Sequence, residues 1–93
     1  MVVHANVTDA RAGQPPRVGF VVSKAMGNAV VRNRTKRVLR ALMSARLGQL
    51  PDGVDVVVRA NPELPHSPRT LLVQDLDRLL ATVLRRVAQR KGH

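Results

Sequence analysis

The residues of this sequence that could bind a ligand through charge are concentrated in one short segment. Positions 32–40 contain five cations and no acid: Arg32, Arg34, Lys36, Arg37 and Arg40. Such side chains bind phosphate groups, and arginine can do so through two parallel hydrogen bonds. Like charges four positions apart on a helix repel one another by about 0.2–0.5 kcal/mol. A cluster without a compensating acid therefore indicates a polyanion-binding surface rather than an ordinary solvated one.

A single amphipathic helix is predicted to carry these cations, from Ala29 to Leu47. Asn28 before it is a good N-cap, because its side-chain oxygen can accept from a free backbone N–H of the first turn. Gly48 after it is a natural stop, since glycine tolerates the left-handed conformation past a helix end.

The predicted helix has two different sides at about 100° per residue. Its apolar side contains Val31, Thr35, Val38, Leu39, Leu42 and Ala45. Its cationic side has a row formed by Arg32, Lys36 and Arg40, with Asn33 and Arg37 beside the row and Arg34 on the flank nearer the apolar side.

The elements around this helix predict a small α+β domain with the order ββαβα. Apolar and β-branched runs indicate strands at Val2–Val7, Arg17–Ser23 and Val54–Arg59, and a leucine-rich stripe indicates a final amphipathic helix from about position 68 or 70 to Arg90. A strand, a helix and a strand in succession favour a parallel crossover. The segment 8–16, rich in turn formers, is predicted to be an exposed hairpin loop.

The composition favours nucleic acid as the partner of a single domain spanning residues 1–93. The net charge is +10 and the sequence pI is near 11.9, beyond the value of roughly 9 that marks basic nucleic-acid-binding domains. A membrane-surface helix would need bulky anchors, and the chain has no Trp or Tyr. It also has no cysteine, no membrane-spanning run and no visible signal peptide, so we expect a cytoplasmic protein.

Protein-borne catalysis is not indicated by any pattern of residues. His4, His66 and His93 lack metal-ligand spacing, so no protein metal site is predicted. Asp75 and Asp77 would point roughly 200° apart on a helix, which argues against a general acid–base pair. Phe20 is the sole aromatic residue, and one ring cannot form a base-stacking sheet. A role for Phe20 in the core is the simpler interpretation.

The segment RVGFVVSKAMGNAVVRNRTKR at positions 17–37 closely resembles the signature of the bacterial ribonuclease P protein family. The match is ungapped, and the later strand and terminal helix also fall where the family has them. The resemblance implies the protein subunit of a ribonucleoprotein endoribonuclease that removes the 5′ leader of precursor tRNA. It implies a catalytic RNA as partner, with Mg²⁺ at the RNA active site, no cofactor on the protein, and a monomeric protein in a 1:1 complex.

The resemblance also assigns roles to individual positions. The implied contacts with RNA are Ser23, Lys24, Gly27, Asn28, Arg32, Asn33, Arg34, Lys36, Arg37 and Arg40. Phe20 matches a sheet position that faces the leader-binding cleft in the family. Two departures stand out: Ala25 replaces a frequent second lysine, and the chain starts directly at the strand that begins with Val2, without the helix that precedes it in the family.

Three other functions are compatible with part of the sequence. A structural ribosomal-RNA-binding protein would have the same composition, and only the motif separates it from a ribonuclease P protein. A DNA-binding regulator would place the basic helix in a major groove, but no helix-turn-helix pairing is visible. A nuclease acting without RNA would need the acid–base chemistry that the sequence lacks.

Overall fold

The computed structural model describes residues 1–91, apart from the side chains at positions 9, 90 and 91. It contains β1 (Val2–Val7), β2 (Arg17–Val22), α1 (Ala29–Ser44), β3 (Val54–Ala60) and α2 (Arg69–Lys91). The α+β class and the order ββαβα are confirmed. His93 lies outside the described residues. No helix in the described part of the chain is long and apolar enough to cross a membrane.

The three strands form one mixed sheet in the order β1-β3-β2. β2 runs parallel to β3, and α1 makes the connection between them, as predicted. β1 runs antiparallel to β3. The predicted hairpin between β1 and β2 is wrong, because β3 lies between these strands and hydrogen-bonds to both. β3 takes the central place with four buried residues: Val54, Val56, Val58 and Ala60.

The connection 8–16 packs against the turn that leads into β3 instead of closing a hairpin. The backbone N–H of Gly53 donates to the carbonyl of Gln14 at 2.7 Å. Gly53 has φ +82, and a Cβ there would lie 3.1 Å from the carbonyl oxygen of Arg11, so a larger residue would be strained. The guanidinium of Arg11 closes the loop by donating to the carbonyl of Pro15 at 2.7 Å.

One face of the sheet is covered by both helices, and the other is open. The covered face contributes alternate strand residues, with Val3, Val56 and Val58 among the buried ones. The helices add Leu39, Met43, Leu72, Leu76, Leu80 and Val87 to the same core. The open face contains exposed residues of all three strands: Val2, His4, Asn6, Gly19, Val21 and Arg59.

α1 begins where predicted but ends three residues earlier, at Ser44 instead of Leu47. Gly48 does not adopt a left-handed conformation and lies in the 3-10 turn Leu47–Gln49. The guanidinium of Arg46 donates to the carbonyl of Leu42 at 2.7 Å. It thereby satisfies a carbonyl that the last turn leaves free, and no glycine cap is needed. Ala45 is exposed and does not join the apolar stripe.

Candidate nucleic-acid interface

The segment that leads into α1 is shaped by two side-chain caps and a glycine. Ser23 Oγ accepts from the N–H of Ala25 at 3.0 Å, and Asn28 Oδ1 accepts from the N–H of Val31 at 3.0 Å. Gly27 between them has φ +143, a conformation that L residues rarely adopt. These contacts direct the chain from the edge of the sheet into the first turn of α1. The predicted N-cap at Asn28 is confirmed.

The inner side of α1 anchors the helix to the core. Thr35, Leu39 and Met43 are buried, and Val31, Val38 and Leu42 are half-buried against the same core. Burying the Thr35 hydroxyl without a hydrogen bond would cost free energy, but this hydroxyl donates to the carbonyl of Val31 at 2.9 Å. The predicted apolar stripe is thus confirmed within the helix, and the cations are left on the outer side.

The predicted cations all lie on the accessible surface of α1. Arg34, Arg37 and Arg40 are exposed together with Asn33, while Arg32 and Lys36 are half-exposed. The ion pairs found among the described residues use Arg11, Arg17, Arg46 and Arg78, and none of the five α1 cations. α1 contains no acid. The outer side of α1 is therefore a surface of positive charge without an ion-pair partner among the described residues.

One tertiary ion pair fixes the end of α1 to α2. Arg46 Nε donates to Asp77 Oδ1 at 2.5 Å, and Arg46 Nη2 to Asp77 Oδ2 at 3.2 Å. The side chain of Arg46 is only 13% exposed. The hydrogen bonds from this guanidinium lower the pKa of the Asp77 carboxyl below its ordinary value. This pair was not predicted from the sequence. The one signal in the sequence was Asp77, an acid on α2 with no cation three or four positions away.

A second ion pair lies on the open face of the sheet. Arg17 and Asp55 are register partners on neighbouring strands, and both guanidinium–carboxylate hydrogen bonds measure 2.8 Å. Arg11 Nε approaches the same carboxylate at 3.6 Å. The hydrogen bonds from Arg17 lower the pKa of Asp55. This arrangement holds the 8–16 connection against the sheet and leaves the basic face of α1 separate from it.

The remaining candidate residues take different positions. Phe20 lies on the covered face of β2, half-buried against the core. Core packing is the role that these contacts favour, and contact with a leader strand stays a prediction. Asp75 and Asp77 pair with Arg78 and Arg46, respectively. In the described part of the chain, no group of three or more His, Cys, Asp or Glu side chains could hold a metal ion.

Known proteins resemble this chain in both sequence and fold. The profile of the family described as Ribonuclease P matches residues 1–84. The chain is 53% identical over 83 residues to the ribonuclease P protein component of Beutenbergia cavernae, covering 89% of this chain and 68% of that protein. It is 47% identical over 83 residues to the same component of a Nocardioides species, covering 89% and 71%, respectively.

Solved structures agree with the sequence matches. The Staphylococcus aureus RNase P protein superposes with a TM-score of 0.72 at 25% identity, covering 86% of this chain and 71% of that chain. The Thermotoga maritima RNase P protein, solved in complex with 1-(4-fluorophenyl)-2-thiourea, gives a TM-score of 0.68 at 27% identity, covering 84% and 74%, respectively.

Fold and charge together define a small α+β protein built to present a cationic helix. The chain belongs to the ribonuclease P protein family. It is a protein component of ribonuclease P, the endoribonuclease that processes the 5′ end of tRNA as a ribonucleoprotein. The family resemblance is thereby confirmed, and the ribosomal-RNA-binding alternative gains no support from these matches.

Proposed function

We propose that the outer side of α1 docks on the catalytic RNA of ribonuclease P, and that the protein thereby assists removal of the 5′ leader from precursor tRNA. The observation that carries this proposal is the set of five α1 cations without an ion-pair partner among the described residues. Phosphate groups supply the missing negative charge. Because each neutralised phosphate releases counterions, the affinity depends steeply on salt.

Preorganisation of α1 supports the docking role. The helix is capped at Asn28, packed through Leu39 and Met43, and tied to α2 through Arg46 and Asp77. A surface that is already ordered loses little conformational freedom on binding. The Nε of Arg32 is buried without a hydrogen-bond partner in the described part of the chain. A phosphate oxygen would satisfy it if the side chain turned outward, which would offset a desolvation cost.

The lead-in segment extends the proposed interface beyond α1. Lys24 is exposed and adds a sixth cation. Ser23 and Asn28 use their oxygen atoms as caps, but the Ser23 hydroxyl proton and the Asn28 amide N–H groups stay available as donors. Gly27 lets the backbone pass close to Val31, whose side chain would lie 3.4 Å from a Cβ there. We assign these residues both a shaping role and contacts with phosphate.

Catalysis is assigned to the RNA, with Mg²⁺ bound there. The carboxylates of Asp75 and Asp77 are engaged by Arg78 and Arg46, respectively, and the Asp77 pair joins α2 to the end of α1. The chain contributes affinity and orientation, as one protein monomer per catalytic RNA. The leader of precursor tRNA is the second proposed contact, with Phe20 as its candidate residue.

Cleavage of precursor tRNA by a bacterial catalytic RNA at low Mg²⁺, with and without the protein, tests the proposal. We expect strong stimulation, and the protein should bind the catalytic RNA in a 1:1 complex. Tight binding without stimulation would support docking by α1 and contradict the role in leader removal. A protein that neither stimulates nor binds would refute the proposal as a whole.

A further inference from the structure

A groove next to the docking surface has no role in the function proposed so far. It has a volume of about 520 Å³ and lies between α1, the 3-10 turn Leu64–His66 and the start of α2. Sites for small organic ligands occupy about 300–1,000 Å³, so the groove is large enough for a nucleotide. A second cavity of about 120 Å³, between β1 and α2, is too small for one.

The groove combines an apolar floor with a basic rim. Met26, Leu64 and Leu72 lie on its floor, and each is at most 9% exposed. Arg34, His66 and Arg69 line its rim and are exposed. None of the side chains lining it in the described part of the chain is acidic. An occupant should therefore join a flat apolar group to a negative charge.

Arg34 connects this groove with the docking surface. It is the one α1 cation that lines the groove, while Arg32, Lys36, Arg37 and Arg40 do not. Around the helix, Arg37 lies between Arg34 and the row formed by Arg32, Lys36 and Arg40, so an RNA strand that contacts Arg37 has a continuous cationic path to the groove. The rim opposite Arg34 is well ordered, because backbone hydrogen bonds of 3.0–3.1 Å close the turn around His66 and Ser67.

We propose that this groove binds one unstacked nucleotide of the RNA on which α1 docks, with its base on the apolar floor and its phosphate between Arg34 and Arg69. The inference rests on the proposed function, since it assigns the site to the docked RNA. Bases removed from a helix stack on histidine rings and guanidinium planes as well as on larger aromatic rings. His66 and the two arginines thus provide stacking surfaces that do not require Phe20.

The chain offers internal reporters for an NMR test of this site. Its methionines are Met1, Met26 and Met43, so methyl labelling gives three resonances. Met26 lines the groove, whereas Met43 is 1% exposed in the core and serves as the control. We expect the trinucleotide ApApA, with a 5′-phosphate, to shift the Met26 methyl through the ring current of a base. Inorganic tripolyphosphate, which has charge but no base, should leave it unshifted.

Paired variants separate the groove from general electrostatics. Arg69→Ala should weaken trinucleotide binding about five- to tenfold, as expected for one lost phosphate or stacking contact. Arg85→Ala removes the same charge from an exposed position on α2 outside the groove and should change affinity less than twofold. His66→Ala should weaken binding, and His66→Phe should restore it.

Three results would overturn the groove assignment: a Met26 methyl unmoved by saturating trinucleotide, an equal shift caused by tripolyphosphate, or equal losses in Arg69→Ala and Arg85→Ala. Binding of the intact catalytic RNA to Arg32→Ala separates this failure from that of the proposed function. If Arg32→Ala lost affinity for the catalytic RNA while the trinucleotide left the Met26 methyl unshifted, docking by α1 would stand and the groove assignment would fail. Unchanged affinity of Arg32→Ala would count against docking itself.

Discussion

Replacing three cations of α1 should flatten the salt dependence of catalytic-RNA binding. The variant Arg32→Ala/Arg37→Ala/Arg40→Ala removes three of the five charges on the helix and leaves Arg34 and Lys36. Each phosphate contact contributes about −0.7 to −0.9 to the slope of log affinity against log salt. The five α1 contacts therefore contribute about −3.5 to −4.5 to the slope of the natural chain, and the two left in the variant contribute about −1.4 to −1.8.

These slopes predict a large difference over an accessible range of salt. Between 50 and 200 mM monovalent salt, the α1 contacts alone should reduce the affinity of the natural chain about 100- to 500-fold, and that of the triple variant only about tenfold. Filter binding or fluorescence anisotropy at four or five salt concentrations, with Mg²⁺ held constant, measures both slopes. The variant should stay folded, because removing like charges four positions apart relieves a repulsion of about 0.2–0.5 kcal/mol per pair.

A matched variant separates local contacts from net charge. Arg59→Ala/Arg85→Ala/Arg86→Ala also lowers the net charge from +10 to +7 and changes three exposed residues outside α1. Its slope should stay close to that of the natural chain. Equal flattening in the two triple variants would refute the assignment of α1 as the docking surface, since affinity would then follow total charge alone.

Three further predictions concern the scaffold that presents the cations. Leu39→Ala should destabilise the protein by about 2–5 kcal/mol and lower the Tm by roughly 10 °C or more, because Leu39 is fully buried. As a control, Val30→Ala changes a position that is 63% exposed and should change the free energy of unfolding by no more than about 0.5 kcal/mol. Asp77→Asn should destabilise the protein at pH 7 and progressively less as the pH is lowered. A carboxyl whose pKa is lowered by folding stabilises the fold above its ordinary pKa of about 3.9, and it loses that contribution as the pH falls through the pKa of the folded protein. Urea unfolding of both proteins at pH 7 and pH 3 measures the difference. Gly27→Ala should cost about 1–3 kcal/mol because of its left-handed φ, whereas Gly19→Ala, which meets open space, should be close to neutral in the same urea assay.

Local patterns in the sequence were sufficient to predict the helices and strands of this fold. The start of α1 follows from the Asn28 cap, and its buried side follows from the spacing of Thr35, Leu39 and neighbouring apolar residues. The position of the cationic surface could also be predicted, because the cations and the apolar stripe follow the same helical period. These features depend on residues within one or two turns of each other.

Pairings between distant segments could not be predicted in the same way. The choice of β3 as the partner of both β1 and β2 depends on how the whole sheet packs, which is why the hairpin predicted at 8–16 is wrong. Arg46 reaches a carboxylate 31 positions away, and the same guanidinium caps α1 without help from Gly48. The groove beside Arg34 is likewise formed by segments far apart in sequence. Such features arise from tertiary geometry, for which periodicity has no signal.

The distribution of ion pairs argues that the charge of α1 serves binding rather than solubility. A surface evolved only for solubility intersperses both signs of charge. Here the acids that form ion pairs, Asp55, Asp75 and Asp77, all lie on β3 or α2 and engage arginines outside α1. α1 instead bears five cations whose mutual repulsion opposes helix formation, and its packing and caps offset that cost. A fold that holds repelling charges together on a rigid helix is arranged for a partner that supplies the opposite charge, and RNA does so along its entire backbone.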